Sequence, residues 1–191
     1  MAITEVDDAL DQAEQLWADA LAAVTPTDLG KPSGCDGWTI ADLVNHVAGG
    51  GHRYAMLLKG QDAAATASTR NNDYIGADAV AQFWRYERTL RQAAEVADLG
   101  VLVDHRAGPR SGTVLLTMRV MDLTLHTKDL CDGLETRWDP SDDLACYLLV
   151  EAMSITDELR SKGLFGPVTI AHSASPADRL LALSGRRRGA S

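Results

Sequence analysis

Apolar residues return every three or four positions along most of this chain, which is the spacing of one buried helix face. In the first stretch, Thr4 to Val24, they are Val6, Leu10, Ala13, Trp17, Ala20 and Val24, with Asp7, Asp11, Glu14 and Asp19 elsewhere on the surface. Pro26 ends it, and Thr25 to Gly37, rich in Gly and Pro, reads as a loop. A second helix opens at Trp38-Thr39, where Thr39 is a suitable N-cap and Asp42 complements the positive helix end. It runs through Leu43, His46, Val47, Tyr54, Leu57 and Leu58. Gly60 to Ala77 is a polar crossover with turn signals at Asn71-Asn72 and Gly76. A third helix spans Asp78 to Ala97 on Val80, Phe83, Trp84, Leu90, Ala94 and Val96. Val101 to Val103 is a short extended piece, and Ala107 to Gly112 a turn. The fourth helix is Thr113 to Leu130, ending before Gly133. The fifth starts at Asp139-Pro140, with Pro at the first helical position. It continues to about Ser161 through Leu144, Leu148, Leu149, Ala152, Ile155 and Leu159, with Gly163 as its stop. From about residue 164 the chain is partly irregular, with an amphipathic piece from Ala177 to Leu183.

This pattern predicts an all-α fold: a four-helix bundle with a long crossover between its second and third helices, plus an additional C-terminal helix. One domain over 1–191 is expected, because neither an internal repeat nor an interior linker interrupts the chain. Its 191 residues, 46% of them hydrophobic, can bury a substantial core. The net charge of -9 opposes nucleic-acid binding. The run Arg186-Arg187-Arg188 reads as a solvated tail. The acidic N-terminus is not a signal peptide, and no apolar run reaches the ~18–20 residues needed to cross a bilayer. Three widely spaced cysteines make neither a disulfide framework nor a zinc ribbon, so a reducing cytoplasm is the expected compartment. Cys131 and Cys146 read as core residues. Cys35, four residues before the Thr39 cap, reads as loop filler, with a helix-activated nucleophile as the alternative.

The fourth helix carries Asp122 and His126 at i,i+4, on a face shared with Leu115, Met118, Leu125 and Asp129. A carboxylate on such a stripe must be paired or must ligate something. His46, between Leu43 and Val47, points inward on the second helix. Together these three give two nitrogens and one oxygen, a set suited to zinc, iron or nickel, with positions left for water or substrate. The alternatives are a surface salt bridge on the fourth helix and an ordinary hydrogen-bonded core histidine on the second. His52, His105 and His172 read as surface residues. Gly49-Gly50-Gly51 inside the second helix indicates close packing beside a pocket, or a bend. Arg53, seven residues after His46, and Arg119, three before Asp122, are candidates for clamping a substrate carboxylate. Ordinary surface arginine is the alternative for each.

The segments GCDGWTIADLVNHVAGG (Gly34 to Gly50) and RVMDLTLHTKDL (Arg119 to Leu130) resemble the two signature segments of the DinB-like superfamily. The closer likeness is to its mycothiol-dependent maleylpyruvate isomerase branch, found in actinobacteria. The ending DRLLALSGR (Asp178 to Arg186) also resembles that of one subgroup. The resemblance implies a bundle holding one divalent metal, zinc first with nickel or iron as alternatives, on His46, Asp122 and His126. Asp122 stands where the isomerase has the longer Glu. Asp129, three residues after His126, is a candidate hydrogen-bond partner for a ligand imidazole, with a plain place on the helix surface as the alternative. Mycothiol would be the thiol cosubstrate, and the activity a metal-dependent isomerase or S-transferase acting on a small electrophile. The isomerase proper has an extra C-terminal domain, whose reactive arginine has no match here. A non-catalytic metal- or ligand-binding accessory protein is the second reading, and a helical interaction module the third. The implied partners are a small-molecule substrate and a low-molecular-weight thiol, with neither nucleic acid nor membrane, and a homodimer is left open.

Overall fold

In a computed structural model that describes residues 5–186, eight helices and one small hairpin carry this pattern. The bundle consists of α1 (Val6–Ala22), α2 (Ile40–Leu58), α4 (Ala79–Val96) and α5 (Gly112–Leu134). The crossover between α2 and α4 contains the short α3 (Ala63–Ser68). A two-stranded hairpin, β1 (Leu102–Val103) against β2 (Arg110–Ser111), leads into α5, with Leu102 opposite Ser111. After it come α6 (Asp142–Glu151), α7 (Met153–Ser161) and α8 (Pro176–Ser184). Helix α1 packs along α5, α2 along α4, and α2 also crosses α5. The core between them is built on fully buried Leu10, Trp17, Leu43, Phe83, Leu90, Leu116, Leu123 and Leu130. No helix among the described residues is long and apolar enough to cross a membrane.

The helix starts follow from side chains that satisfy orphan backbone donors. Thr39 and Asp42 form a reciprocal capping box on α2. Asp62, Asp78, Ser111, Ser141 and Ser175 each accept from the backbone N–H three residues on. Helix α5 is buried along most of its length and on nearly all sides. Its hydroxyls are hidden by bonding back one turn: Thr124 Oγ1 to the Val120 carbonyl at 2.8 Å, Thr127 Oγ1 to that of Leu123 at 2.7 Å.

Four expectations need correction. The crossover holds α3, which Asp62 caps. Helix α5 runs through Gly133 to Leu134, and at Gly133 the absence of a side chain lets the loop between α1 and α2 pack directly on it. A Cβ there would stand 2.7 Å from the Pro32 carbonyl oxygen and 3.1 Å from Ser33 Cα. Glu135, with a left-handed φ of 55°, ends the helix. The fifth helix is two, divided at Ala152, and its cap is Ser141, not Asp139 followed by a helical Pro140. The buried positions Leu144, Leu148, Ala152, Ile155 and Leu159 keep helical spacing across the break, so periodicity reads one helix. Cys146 is exposed, whereas Cys131 is buried as expected. Thr4 and Arg187-Arg188 lie outside the described residues.

Candidate metal centre

Helices α2 and α5 cross so that His46, Asp122 and His126 meet at a cavity of about 510 Å³. Asp122 Oδ1 lies 3.5 Å from His46 Nε2 and 3.4 Å from His126 Nε2. The three donor atoms are within 4.8 Å of one another. These N–O separations are long for hydrogen bonds, which peak near ~2.9 Å. They suit ligands that share an ion: bonds of ~2.1 Å at tetrahedral angles place ligand atoms about 3.4 Å apart. The donor set therefore fits a divalent metal.

The electrostatics divide among the three donors. Burial disfavours the charged form of Asp122, yet His126 and His46 hold its carboxyl well below the usual range. Burial pushes the His46 imidazole down, favouring the neutral form that can ligate, although Asp122 pulls the other way. His126 goes in the opposite direction, because Asp122 and Asp129 together outweigh its burial. Competition between metal and proton for His126 would make metal uptake pH-dependent.

Behind the three donors stand residues that orient them. Asp129 Oδ2 is 2.9 Å from His126 Nδ1, which keeps a proton on Nδ1 and leaves Nε2 as the nitrogen that faces Asp122 and the cavity. Arg186 grips the same carboxylate in a fork, Nε to Oδ1 at 2.9 Å and Nη2 to Oδ2 at 2.7 Å. At the carboxylate donor, Arg119 Nη1 donates to Asp122 Oδ2 at 2.8 Å. For a divalent metal held on these three donors, Asp129→Asn is expected to weaken the affinity about 10–100-fold. Titration against a chelating dye measures this, and an unchanged affinity would refute the orienting role.

Several residues are not where the sequence places them. Arg119 is fully buried and engages Glu87, Asp122 and the Val47 carbonyl, so it neither lies on the surface nor reaches a substrate. Arg53 is buried and lines the cavity while donating to the His46 carbonyl at 2.9 Å. Cys35 is more than loop filler: its thiol lines the cavity and donates to Asp129 Oδ2 at 3.2 Å. His105 is buried on the cavity wall, not on the surface, and its Nδ1 accepts from the Ala107 N–H. His52 is half-buried, 3.0 Å from the Tyr74 hydroxyl, whereas His172 is exposed as expected. Arg186 is no solvated tail.

In the sequence Trp38 reads only as a helix start. Its ring lies 5.0 Å from that of His46 and stacks at 6.3 Å on His126, while 37% of the residue remains exposed. Arg70 and Arg106, also on the cavity wall, leave no mark in the sequence, since loop arginines carry no spacing signal.

The model of the family described as mycothiol maleylpyruvate isomerase N-terminal domain matches residues 10–131, which include all three donors. Two uncharacterized proteins from two strains of Mycobacterium tuberculosis, MT0763 and Rv0738, are each 27% identical over 180 residues, covering 92% of this chain and 94% of theirs. The crystal structure of the mycothiol-dependent maleylpyruvate isomerase superposes with a TM-score of 0.61 at 18% identity, over 86% of this chain and 75% of that one. A histidine-to-alanine mutant of that enzyme gives a TM-score of 0.62 over the same shares. At that identity the two structures establish the all-α fold, and the family model establishes kinship. The chain belongs to the mycothiol maleylpyruvate isomerase N-terminal domain family.

Proposed function

We propose that this protein binds one divalent metal on His46, Asp122 and His126 and uses it in mycothiol-dependent isomerisation or S-transfer on a small electrophile. Zinc is the first expectation, with nickel or iron as alternatives. The observation that carries the reading is the meeting of three lone-pair donors on the wall of an open cavity, in a chain whose family is mycothiol-dependent. A metal held there would lower the pKa of a thiol or water bound to it and polarise a substrate carbonyl.

The chain's own residues divide the remaining work. Asp129 and Arg119 hold His126 and Asp122 in register, so the donors need little rearrangement. Trp38 covers the two imidazoles and limits water at the donors. Arg70 and Arg106 stand on the cavity wall without a carboxylate partner among the described residues, in a protein of net charge -9. With Arg53 they favour an electrophile that carries a carboxylate. Replacing Arg70 and Arg106 together by alanine is expected to raise KM for an anionic electrophile about tenfold or more, the worth of one charge-assisted hydrogen bond. Metal content should not change, and an equal KM would remove the anion from the reading.

The test of the function begins with elemental analysis of untagged protein purified without chelators. About one zinc, nickel or iron per chain, lost in His126→Ala, is the expected result for a single three-ligand site. Mycothiol is then supplied with small electrophiles, and their loss or isomerisation is followed. No metal, and no rise in melting temperature on adding Zn²⁺ or Ni²⁺, overturns the proposal. Metal without thiol-dependent turnover would leave a metal-binding accessory protein.

A further inference from the structure

The three successive glycines of α2 each face a charged side chain. A Cβ at Gly49 would stand 2.5 Å from Arg53 Nη1 and 2.8 Å from the Tyr74 ring, and a Cβ at Gly50 would stand 2.5 Å from Arg119 Nη1. A Cβ at Gly51 would overlap Glu87 Oε1. Gly50 and Gly51 thus form a slot in the helix wall. Through it a layer of buried charge reaches the back of the metal-ligand set, and no larger residue would leave that layer room.

The ends of the layer differ in what they do. Glu87, on α4, is essentially inaccessible, and both its oxygens accept from Arg119: Oε2 from Nε at 3.3 Å and Oε1 from Nη2. Arg119 Nη2 also donates to the Val47 carbonyl at 2.9 Å. With two edges of the guanidinium fixed by α4 and α2, Nη1 is left pointing at Asp122 Oδ2, 2.8 Å away. That leaves Oδ1 to face the two Nε2 atoms. An arginine alone could pivot on its stem and turn the carboxylate with it. An arginine clamped by a second carboxylate cannot. On its far side Glu87 neighbours Glu14, whose carboxylate Arg91 holds with two contacts of 3.0 Å.

We propose that Glu87 is a positioning residue of the metal centre, acting through Arg119 to set which oxygen of Asp122 faces the metal, and that Gly50 and Gly51 leave the room this relay needs. The inference rests on the metal-binding reading above. Its charge sense also matters. Glu87 offsets the positive guanidinium beside Asp122, which would otherwise oppose a dication at Oδ1.

Cobalt(II) titration of the full-length protein tests it, read by the visible absorption of the bound ion and by competition with a chelator, with melting temperature recorded in parallel. Glu87→Gln keeps the size of the side chain but turns one acceptor into a donor facing the guanidinium. The expected result is a tenfold or greater loss of cobalt affinity, as for other partners behind metal ligands. The absorption band should shift, reporting a changed Asp122 geometry. A lower melting temperature with the same affinity and the same band would show Glu87 to be merely structural and overturn the proposal. If Glu87→Gln does not fold, Arg119→Lys keeps the charge, loses the fork and must give the same two changes. If the wild-type protein takes up no cobalt, it is the metal-binding reading that fails. Uptake by the wild type with an unaltered variant refutes the relay alone.

Discussion

Arg119→Met is expected to lower the free energy of unfolding by about 3–5 kcal/mol, the usual result of removing one member of a buried ion pair. Urea denaturation followed by circular dichroism would measure it. Methionine fills much of the arginine stem, so the loss comes from the groups left behind. Glu87 would remain in an apolar layer without its cation, and the Val47 carbonyl without a donor. Burial already raises the Glu87 carboxyl to about 7, even with Arg119 beside it. Without that cation it would protonate, and protonation limits how large the loss can become. Two further changes separate charge from packing. Adding Glu87→Leu removes the stranded carboxyl, so the double variant should recover most of the stability, since well-packed apolar replacements of buried pairs are often neutral. A loss below about 1 kcal/mol in the single variant would place the pair in the class of weak exposed bridges and contradict its burial.

The parts of the site legible in the sequence are those whose geometry is local. Asp122 and His126 share a helix face by spacing alone, and the Thr39–Asp42 capping box fixes where α2 begins, and hence where His46 points. The layer behind the three donors is tertiary. Arg186 lies 57 residues from Asp129, in a segment whose DRLLALSGR pattern is visible but whose final arginine reads as the start of a basic tail. Spacing reads Cys35 as loop filler four residues before the α2 cap, whereas its surroundings are decided across the fold. The Gly34 N–H donates to the Asp129 carbonyl at 2.8 Å, and a Cβ on Gly34 would meet Asp129 Cα at 2.8 Å. That close approach delivers the thiol to the Asp129 side chain. The glycine triplet does announce close packing, but which side chains approach depends on α4 and α5. The division of α6 from α7 leaves no trace in the spacing, because the same face is buried on both sides of it.

His105 should make the protein lose stability as the medium is acidified, over a window that begins above the range where carboxylates titrate. Burial, with Arg106, Arg110 and Arg70 nearby, lowers its imidazole to about 4 from an ordinary value near 6.5. Between those two values the unfolded chain takes up a proton at this position and the folded chain does not, so unfolding is favoured as pH falls. The contribution is complete above about 6.5 and gone below about 4. Its size is roughly 3 kcal/mol, because each tenfold change in proton affinity is worth about 1.4 kcal/mol. Glu87 acts in the opposite sense over much of that range: its raised value makes the folded chain the better proton acceptor, so its own contribution fades as pH rises toward 7. Total stability against pH therefore mixes the two. The difference between the wild type and His105→Asn isolates one of them, because Glu87 is common to both. Asparagine can still accept from the Ala107 N–H, as His105 Nδ1 does at 3.2 Å, and it carries no proton to gain. Urea unfolding at pH 7 and at pH 4.5 should show the wild type losing more than the variant by about 2–3 kcal/mol. Equal losses would mean that His105 takes up its proton in the folded state, with the cavity wall open enough to solvate three neighbouring arginines and an imidazolium together.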